Sequence, residues 1–168
     1  MEELRFDGRV AVVSGAGGGL GREYALLLAS RGAKVVVNDL GTDRHGGGRD
    51  STMAQNVVDE IRAAGGEAVA NGDTVATPEG GRAIVEAALD SFGRIDILVH
   101  NATINRPGAF RGLAWEDFSA VLDVHVGGAF HLAKAAFPRM CDQGYGRVVL
   151  VASVAGLYGE KNPSAYAP

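Results

Sequence analysis

The stretch that decides the fold is VAVVSGAGGGLG, residues Val10–Gly21, followed by REYALLLASR at Arg22–Arg31. Val10–Val13 is short, apolar and β-branched, as is typical of a buried strand. The glycine-rich loop Ser14–Gly21 follows at once, and the leucine-rich segment after it predicts a helix. Because glycine has no Cβ, backbone N–H groups of such a loop can approach a phosphate closely, and the dipole of the next helix favours an anion. The stretch therefore predicts a dinucleotide site.

Length and composition indicate one globular domain. The chain has 168 residues, of which 46% are hydrophobic and 21% charged, and this is an ordinary balance for a single core. The formal net charge of −4 gives no electrostatic reason to expect nucleic acid or an anionic membrane surface as a partner. The N-terminus lacks an apolar signal region, and no apolar run approaches the roughly 20 residues of a membrane span. We therefore predict a cytoplasmic protein without a membrane partner.

Cysteine and histidine positions give no reason to expect a metal. The single cysteine, Cys141, excludes an internal disulfide and suits a reducing compartment. His45, His100 and His131 show no metal-ligand spacing with one another or with Cys141. No metal is expected.

Short apolar segments alternate with helical ones along the chain. The predicted strands are Arg9–Val13, Lys34–Asn38, Ala68–Asn71, Ile95–His100 and Arg147–Ala152. They are rich in Val and Ile without polar alternation, as expected for strands buried on both faces. The predicted helices are Leu20–Arg31, Ser51–Ala64 with Ser51 as N-cap, Pro78–Phe92 with Thr77 as N-cap, and Trp115–Gln143. This order predicts an α/β fold, a Rossmann-type doubly wound parallel sheet with helices on both faces in three layers. The polar segment Gly41–Asp50 is predicted as a mobile surface loop.

An acidic residue ends the second predicted strand. Asp39 lies about 20 residues after the glycine loop, where a carboxylate can accept hydrogen bonds from the adenine ribose and repel a 2′-phosphate. The alternative is an acid that merely faces solvent. We predict NAD rather than NADP as the cofactor.

The spacing Gly-x-x-x-Gly-x-Gly, at Gly15, Gly19 and Gly21, resembles that of the short-chain dehydrogenase/reductase family. The resemblance covers the whole chain. It also rests on Asp39, Asp73, Asn101-Ala102, and Ser153 with Tyr166. Within the family, Gly15–Gly41, Gly156–Gly159 and His125 are similar to the hydroxyacyl-CoA dehydrogenase part of peroxisomal multifunctional enzyme type 2 and to its bacterial relatives.

The resemblance implies a set of cofactor-binding residues. Asp73 and Thr74 would read the adenine, and Asn101 would steady the central sheet and the cofactor. Thr103 stands where the family usually has glycine, and His100 where it usually has asparagine, which are departures from the pattern. The full predicted set is Gly15, Gly17, Gly18, Gly19, Leu20, Gly21, Asp39, Leu40, Asp73, Thr74, Asn101, Ala102 and Thr103.

The resemblance also implies a catalytic pair, Ser153 and Tyr166. Ser153 ends the fifth predicted strand, and ligands of parallel sheets lie beyond the carboxyl ends of the strands. A phenol ordinarily has a pKa of about 10, and family members lower it with a lysine four residues after the tyrosine, a position beyond Pro168. His125 stands where many members carry an asparagine that holds a water in a proton relay. A neutral imidazole can pass a proton too, although a plain structural contact is an equal alternative.

The resemblance implies a hydride transfer between NAD and a secondary alcohol or ketone. The similarity to the multifunctional enzyme implies a 3-hydroxyacyl thioester as substrate, with a steroid or other carbonyl compound as the runner-up. The resemblance implies a homo-oligomer, a dimer or tetramer, formed through the long helix Trp115–Gln143. We expect residues 1–168 to be one NAD-binding domain, the N-terminal part of a longer one whose last strands are missing. The alternative is a truncated or non-catalytic NAD-binding module.

Overall fold

Five parallel strands form one sheet in the order β3-β2-β1-β4-β5. The computed structural model describes residues 3–159, 161, 165 and 166. The strands are β1 (Val10–Ser14), β2 (Lys34–Asn38), β3 (Ala68–Asn71), β4 (Ile97–His100) and β5 (Arg147–Leu150). The strand order reverses between β1 and β4, so the loops that follow these two strands diverge and leave a crevice at the carboxyl edge of the sheet. The predicted doubly wound sheet is confirmed.

Helices cover both faces of the central strands. They are α1 (Gly19–Ser30), α2 (Thr52–Ala63), α3 (Pro78–Phe92), α4 (Trp115–Leu122), α5 (Gly128–Asp142) and α6 (Val154–Tyr158). Side chains of α1 and α2 pack with one face of the sheet, and side chains of α3 and α5 pack with the other. Strands β1 and β2 are buried almost throughout because apolar helix faces cover them from both sides. Of the described helices, none is long and apolar enough to cross a bilayer.

The helix boundaries agree with the prediction within a residue or two, and Ser51 occupies the N-cap position of α2 but makes no side-chain capping bond. Thr77 caps α3 as predicted, since its hydroxyl accepts a hydrogen bond from the Gly80 N–H at 3.1 Å. Ser51, the predicted cap of α2, makes no such bond. Instead, the Asp50 carboxylate accepts from the Thr52 N–H at 2.9 Å and from its hydroxyl at 2.6 Å. A carboxylate is the stronger acceptor at a helix start, because the dipole favours its charge.

The predicted long helix Trp115–Gln143 is not a uniform α-helix. A π-helical turn, Asp123–Gly127, separates α4 from α5. Such a turn widens the helix by one residue and is frequently found at functional sites. The sequence signals for a helix are the same on both sides of the turn, so they do not show it.

Strand β5 departs from the prediction that every strand is buried on both faces. All four of its residues are exposed, and Leu150 keeps 53% of its surface accessible. The strand pairs with β4 along one edge, and within the described residues no strand pairs along its other edge. Its apolar sequence suits burial, but a strand is buried only where another strand or a helix packs against it.

The segment Gly41–Asp50 lies at the surface, and hydrogen bonds give it a defined conformation. The Asp50 N–H donates to the Gly41 carbonyl and the Asp43 N–H to the Gly47 carbonyl, both at 2.8 Å. The loop also contacts the segment that follows β4, because the Asn105 N–H donates to the Arg44 carbonyl at 2.8 Å. The predicted loop therefore forms one wall of the crevice.

At the amino-terminal ends of the strands, on the side of the sheet away from the crevice, a buried carboxylate joins β1 to β4. The Asp96 side chain is fully buried, and it accepts from the Val10 N–H at 3.0 Å, from Arg9 at 2.8 Å and from Arg94 at 2.7 Å. Burial acts to raise the pKa of this carboxyl, but the hydrogen bonds from Arg94, Val10 and Arg9 together outweigh burial and lower the pKa.

We expect Asp96→Asn to destabilise the fold by about 3 kcal/mol at neutral pH, because it removes one member of a buried charge cluster. Since the pKa of Asp96 is lower in the folded state, its stabilisation is complete above the ordinary carboxyl pKa of about 3.9 and is lost as the pH falls through the folded value. Urea unfolding at neutral and acid pH measures the difference. The control is Glu60→Gln, in the exposed pair with Arg22, with an expected effect below about 1 kcal/mol. Equal effects of the two substitutions would contradict the prediction.

Candidate functional site

A cavity of about 470 Å³ lies at the carboxyl edge of the sheet, in the crevice between the loops after β1 and β4. It is lined by eleven of the thirteen residues predicted to bind the cofactor: Gly15, Gly18, Gly19, Leu20, Asp39, Leu40, Asp73, Thr74, Asn101, Ala102 and Thr103. The sequence places these residues in four separate loops. They meet because parallel strands bring their carboxyl ends to the same edge.

Two glycines of the loop are required by the backbone around them. Gly15 has a φ of +64°, and a Cβ there would lie 2.7 Å from the Ala102 Cα. A Cβ on Gly21 would overlap the Gly15 carbonyl oxygen and lie 2.6 Å from Asn101 Nδ2. Gly21 is buried and does not line the cavity. Its role is to let helix α1 pack against the loop.

The N-terminus of α1 is open to the cavity. Its N-cap is Gly18, and no side chain caps the helix. A Cβ at Gly18 would have only Met53 Cε within 4 Å, at 3.8 Å, and a Cβ at Gly19 would contact nothing. The first N–H groups of a helix have no partner within the helix. This helix start therefore suits a phosphate group.

Backbone N–H groups hold the Asp39 carboxylate in place. Its Oδ2 accepts from the Gly17 N–H at 2.8 Å, and its Oδ1 accepts from the Gly41 N–H at 2.7 Å. A Cβ on Gly17 would come within 2.9 Å of Asp39 Oδ2, so this glycine allows the approach. Gly17 thus acts on Asp39 and does not line the cavity. Each carboxylate oxygen keeps a further lone pair that can accept a hydrogen bond from a ribose hydroxyl.

A side-chain network in the wall of the cavity positions Asp73, and it was not predicted. Asn38 Nδ2 donates to Asn71 Oδ1 at 2.8 Å and to the Asp73 carbonyl at 2.9 Å. Asn71 Nδ2 donates to the Asp73 carboxylate at 2.8 Å. Asn38 is buried, and the network supplies acceptors for its amide N–H groups. Next to Asp73, the Thr74 hydroxyl accepts from the Ala76 N–H at 3.2 Å.

The segment after β4 is bonded to the glycine loop. The Ser14 hydroxyl accepts from the Asn101 N–H at 3.1 Å and from the Ala102 N–H at 3.2 Å. Asn101 Nδ2 donates to the Gly15 carbonyl at 3.1 Å. Asn101 therefore joins the loop after β1 to the segment after β4.

His125 lies in the π-helical turn, and its ring reaches the segment after β4. Its Nε2 is 2.8 Å from the Thr103 hydroxyl and 3.0 Å from the Ile104 carbonyl oxygen. Burial lowers the pKa of His125, although the Ile104 carbonyl acts in the opposite direction. The imidazole is therefore neutral at neutral pH, the form that can both give and take a proton. Thr103, which departs from the usual glycine, supplies a hydroxyl to this histidine.

Tyr166 lies beside His125. The two ring centroids are 5.3 Å apart, with an edge-to-face angle of 88°. The preceding residue, Ala165, is fully buried against Ile104 and Val121, and this packing supports the position of the tyrosine beside His125. The sequence separates Tyr166 from His125 by 41 positions, so only the fold brings together these two of the three predicted catalytic residues.

Ser153 is the N-cap residue of α6. Its hydroxyl accepts from the Ala155 N–H at 3.2 Å and so caps α6. Within the described residues, no hydrogen bond joins Ser153 to Tyr166 directly. Within the part of the chain that the structure describes, no ion pair or hydrogen bond joins Lys134 or Lys161 to Tyr166. The lysine implied by the resemblance falls outside the chain.

Sequence reasoning missed several parts of the cavity wall. Thr42, Asp43, Arg44 and Gly46 line the cavity, although their loop was predicted only as a mobile surface segment. The signal that could have found them is the position of this loop directly after Asp39, at the carboxyl end of β2. Four apolar residues were missed as well, because side chains of this kind are common in any core: Met53, Val75, Ile104 and Val124.

Comparison with known proteins identifies the arrangement. Residues 9–168 match the short chain dehydrogenase family. The chain belongs to this family. A short-chain type dehydrogenase/reductase of Mycobacterium tuberculosis is 53% identical over 158 residues, which is 94% of this chain and 55% of that protein. The peroxisomal multifunctional enzyme type 2 of Drosophila melanogaster is 54% identical over 157 residues, 94% of this chain and 26% of that protein.

A solved structure of a 7α-hydroxysteroid dehydrogenase, in complex with NADH and 7-oxo glycochenodeoxycholic acid, has the same fold. It superimposes with a TM-score of 0.88 at 33% identity, covering 97% of this chain and 60% of that one. The chain thus spans about half the length of the mycobacterial relative and a quarter of the peroxisomal one. The family resemblance and the fold predicted from the sequence are confirmed, and with them membership of an oxidoreductase family that works with nicotinamide cofactors.

Proposed function

We propose that the protein transfers a hydride between NAD and a secondary alcohol or its ketone. The observation that carries the proposal is the position of Tyr166. Its ring lies against a neutral histidine next to a cavity that has an open helix start and an anchored carboxylate. A binding site alone does not require a phenol and an imidazole beside the place where the reacting end of a cofactor would lie.

Asp39 supports NAD over NADP. Its carboxylate is fixed by the Gly17 and Gly41 N–H groups, so it cannot turn away from a 2′-phosphate, and the like charges would repel. Arg44 lies on the same wall, but its Nε donates to His45 at 3.2 Å. The fixed Asp39 carboxylate next to the predicted ribose position therefore disfavours a 2′-phosphate.

The residues of the chain have distinct tasks in this reaction. Tyr166 removes the hydroxyl proton of the alcohol, or returns it to the ketone, while Ser153 hydrogen-bonds the same oxygen. His125, held by Thr103 and Ile104, passes the proton onward to water. The nicotinamide, when bound, accepts or supplies the hydride. Because the hydride and the proton leave the same C–OH group, the phenol and the nicotinamide must face one carbon.

For the substrate we propose a 3-hydroxyacyl thioester, on the similarity to the multifunctional enzyme type 2. A hydroxysteroid is the second candidate, favoured by the fold shared with the hydroxysteroid dehydrogenase. We also propose a homo-oligomer formed through α4 and α5, whose exposed aromatic side chains include Trp115, Phe130 and Phe137. The cytoplasm is our proposed location, although several relatives are named as peroxisomal.

A cofactor titration tests the proposal. We expect NADH to bind at least about tenfold more tightly than NADPH, since one charge repulsion of about 1.4 kcal/mol accounts for such a ratio. Asp39→Ser removes the repulsion and should bring the two affinities together, whereas Asp73→Asn, in the same cavity, should leave their ratio unchanged. Tighter binding of NADPH by the unaltered protein would contradict the choice of NAD.

Turnover separates the enzyme from a binding module. The assay follows NADH formation from NAD with a 3-hydroxyacyl-CoA and, separately, with a 7α-hydroxysteroid. Production of NADH with the thioester supports the proposal, and production with the steroid alone replaces the substrate. Cofactor binding without turnover on either substrate would favour a non-catalytic NAD-binding module.

A further inference from the structure

His100 is a buried histidine that connects two parts of the site. It ends β4 and is only 4% exposed. Its Nδ1 lies 3.0 Å from the Ser14 hydroxyl at the end of β1, and its Nε2 lies 3.2 Å from the backbone carbonyl oxygen of His125 in the π-helical turn. One imidazole thus contacts both the strand that leads into the glycine loop and the turn that carries His125.

The partners of His100 determine its tautomer. A carbonyl oxygen only accepts, so Nε2 must carry the proton and donate to His125. Nδ1 is then an acceptor, and the Ser14 hydroxyl donates to it. The same hydroxyl accepts from the Asn101 and Ala102 N–H groups. One donor and two acceptor positions are all that a hydroxyl has, so every hydrogen-bonding group at this junction is satisfied.

The surrounding backbone leaves room for this ring. A Cβ on Gly128, the first residue of α5, would come within 2.9 Å of His100 Cε1 and of Val75 Cγ2. Burial lowers the pKa of His100, against the pull of the His125 and Val124 carbonyls. The ring is therefore neutral, as the bond pattern requires. The absence of a side chain at Gly128 is a second, independent sign that the imidazole belongs in this position.

We propose that His100 is a positioning residue, which joins the glycine loop to the π-helical turn and so fixes His125 in its orientation toward Tyr166. The two departures from the usual motif then act together. His100 holds the backbone of His125, and Thr103 holds its ring, at 2.8 Å. An asparagine in place of His100 has one polar end and reaches only the nearer partner. The catalytic consequence of this role rests on the proposed function, whereas its structural part does not.

The first test is nuclear magnetic resonance of the unaltered protein with ¹⁵N-labelled histidine. At neutral pH we expect the His100 ring in the neutral Nε2–H form. A Nδ1–H tautomer or a charged ring would overturn the proposal. The measurement needs neither cofactor nor turnover, so its failure and the failure of the proposed function are distinguishable.

Two substitutions separate the two bonds of the ring. His100→Asn places its amide near Nδ1 and should keep the bond to Ser14, while His100→Gln places its amide near Nε2 and should keep the bond to the His125 carbonyl. We expect the ring signals of His125 to shift in His100→Asn and to stay near their original positions in His100→Gln. Unchanged His125 signals in a folded His100→Asn protein would overturn the proposal.

The kcat and the dissociation constant of NADH in the same variants give a further test. In His100→Asn we expect the dissociation constant of NADH to remain within about twofold, while kcat falls about fivefold, the scale of one hydrogen bond. His100→Gln should restore kcat. Ser14→Ala should instead weaken NADH binding, because the Asn101 and Ala102 N–H groups lose their acceptor. An equal loss of kcat in the Asn and Gln variants would indicate a general packing role and overturn the assignment.

Discussion

Gly21→Ala is expected to lower the free energy of unfolding by about 3 kcal/mol and to abolish cofactor binding. A methyl group there overlaps the Gly15 carbonyl oxygen and lies 2.6 Å from Asn101 Nδ2. Both are parts of the rigid junction between β1, the loop and the segment after β4, so neither can move without breaking the Asn101-to-Gly15 hydrogen bond. Overpacking a tight interior costs about 1–3 kcal/mol, and a clash with backbone belongs at the upper end of that range.

Gly18→Ala is the matched control in the same loop. Its backbone φ is −166°, which is ordinary extended backbone, and its Cβ would meet only Met53 Cε at 3.8 Å. We expect an unchanged free energy of unfolding in urea, but a weaker affinity for NADH, by about tenfold, because the methyl enters the space for the phosphates. If Gly21→Ala unfolded at the same urea concentration as the unaltered protein, our account of the loop packing would be wrong.

Tyr166→Phe is expected to reduce kcat by about three orders of magnitude while leaving NADH affinity unchanged. The substitution removes the one hydroxyl that can exchange a proton with the substrate oxygen, and general acid–base groups contribute about 10²–10⁴ in rate. The ring itself remains, so the edge-to-face contact with His125 and the packing of Ala165 should be kept. The measurement compares NADH formation and NADH binding in the unaltered and substituted proteins, once a substrate that turns over has been found.

Tyr158→Phe provides the control for this substitution. Tyr158 lies at the end of α6 and is 87% exposed, so loss of its hydroxyl should change neither kcat nor the affinity for NADH. A Tyr166→Phe protein as active as the Tyr158→Phe protein would remove Tyr166 from the mechanism and leave His125 as the next candidate for the proton transfer.

The sheet and most of the cofactor loops could be predicted because their signals are local. A β-branched run followed by glycines and a leucine-rich helix specifies one βα unit, and its repetition leaves few possible topologies. Asp39 was found for the same reason, since it follows β2 directly and every parallel strand carries its carboxyl end to one edge. Asp73, two residues after β3, was predicted from the family resemblance. The caps were less certain. Asp50 and Ser51 are adjacent and both suit a helix start, so the choice between them depends on backbone angles.

The contacts among His100, His125 and Tyr166 could not be predicted from the same local signals. Nothing in the pattern around His125 marks the π-helical turn, and nothing near Tyr166 in sequence indicates that His125 lies beside it. The bond from His100 to the His125 carbonyl joins positions 25 apart. These contacts depend on how α4 and α5 pack over β4, which is a property of the whole core.

Sequence alone therefore determined the layers, the strands and the nucleotide loop, because short-range patterns of apolar residues and glycines encode them, whereas the reactive side chains were predicted from the family resemblance. Tertiary structure alone decided that the Gly17 N–H donates to Asp39 and that the Gly41–Asp50 loop forms a cavity wall. It also decided that His100, Thr103 and Tyr166 all contact His125. The physical reason is that these are long-range contacts between side chains and backbone groups from separate loops. Their distances are set only when the sheet and its helices have packed.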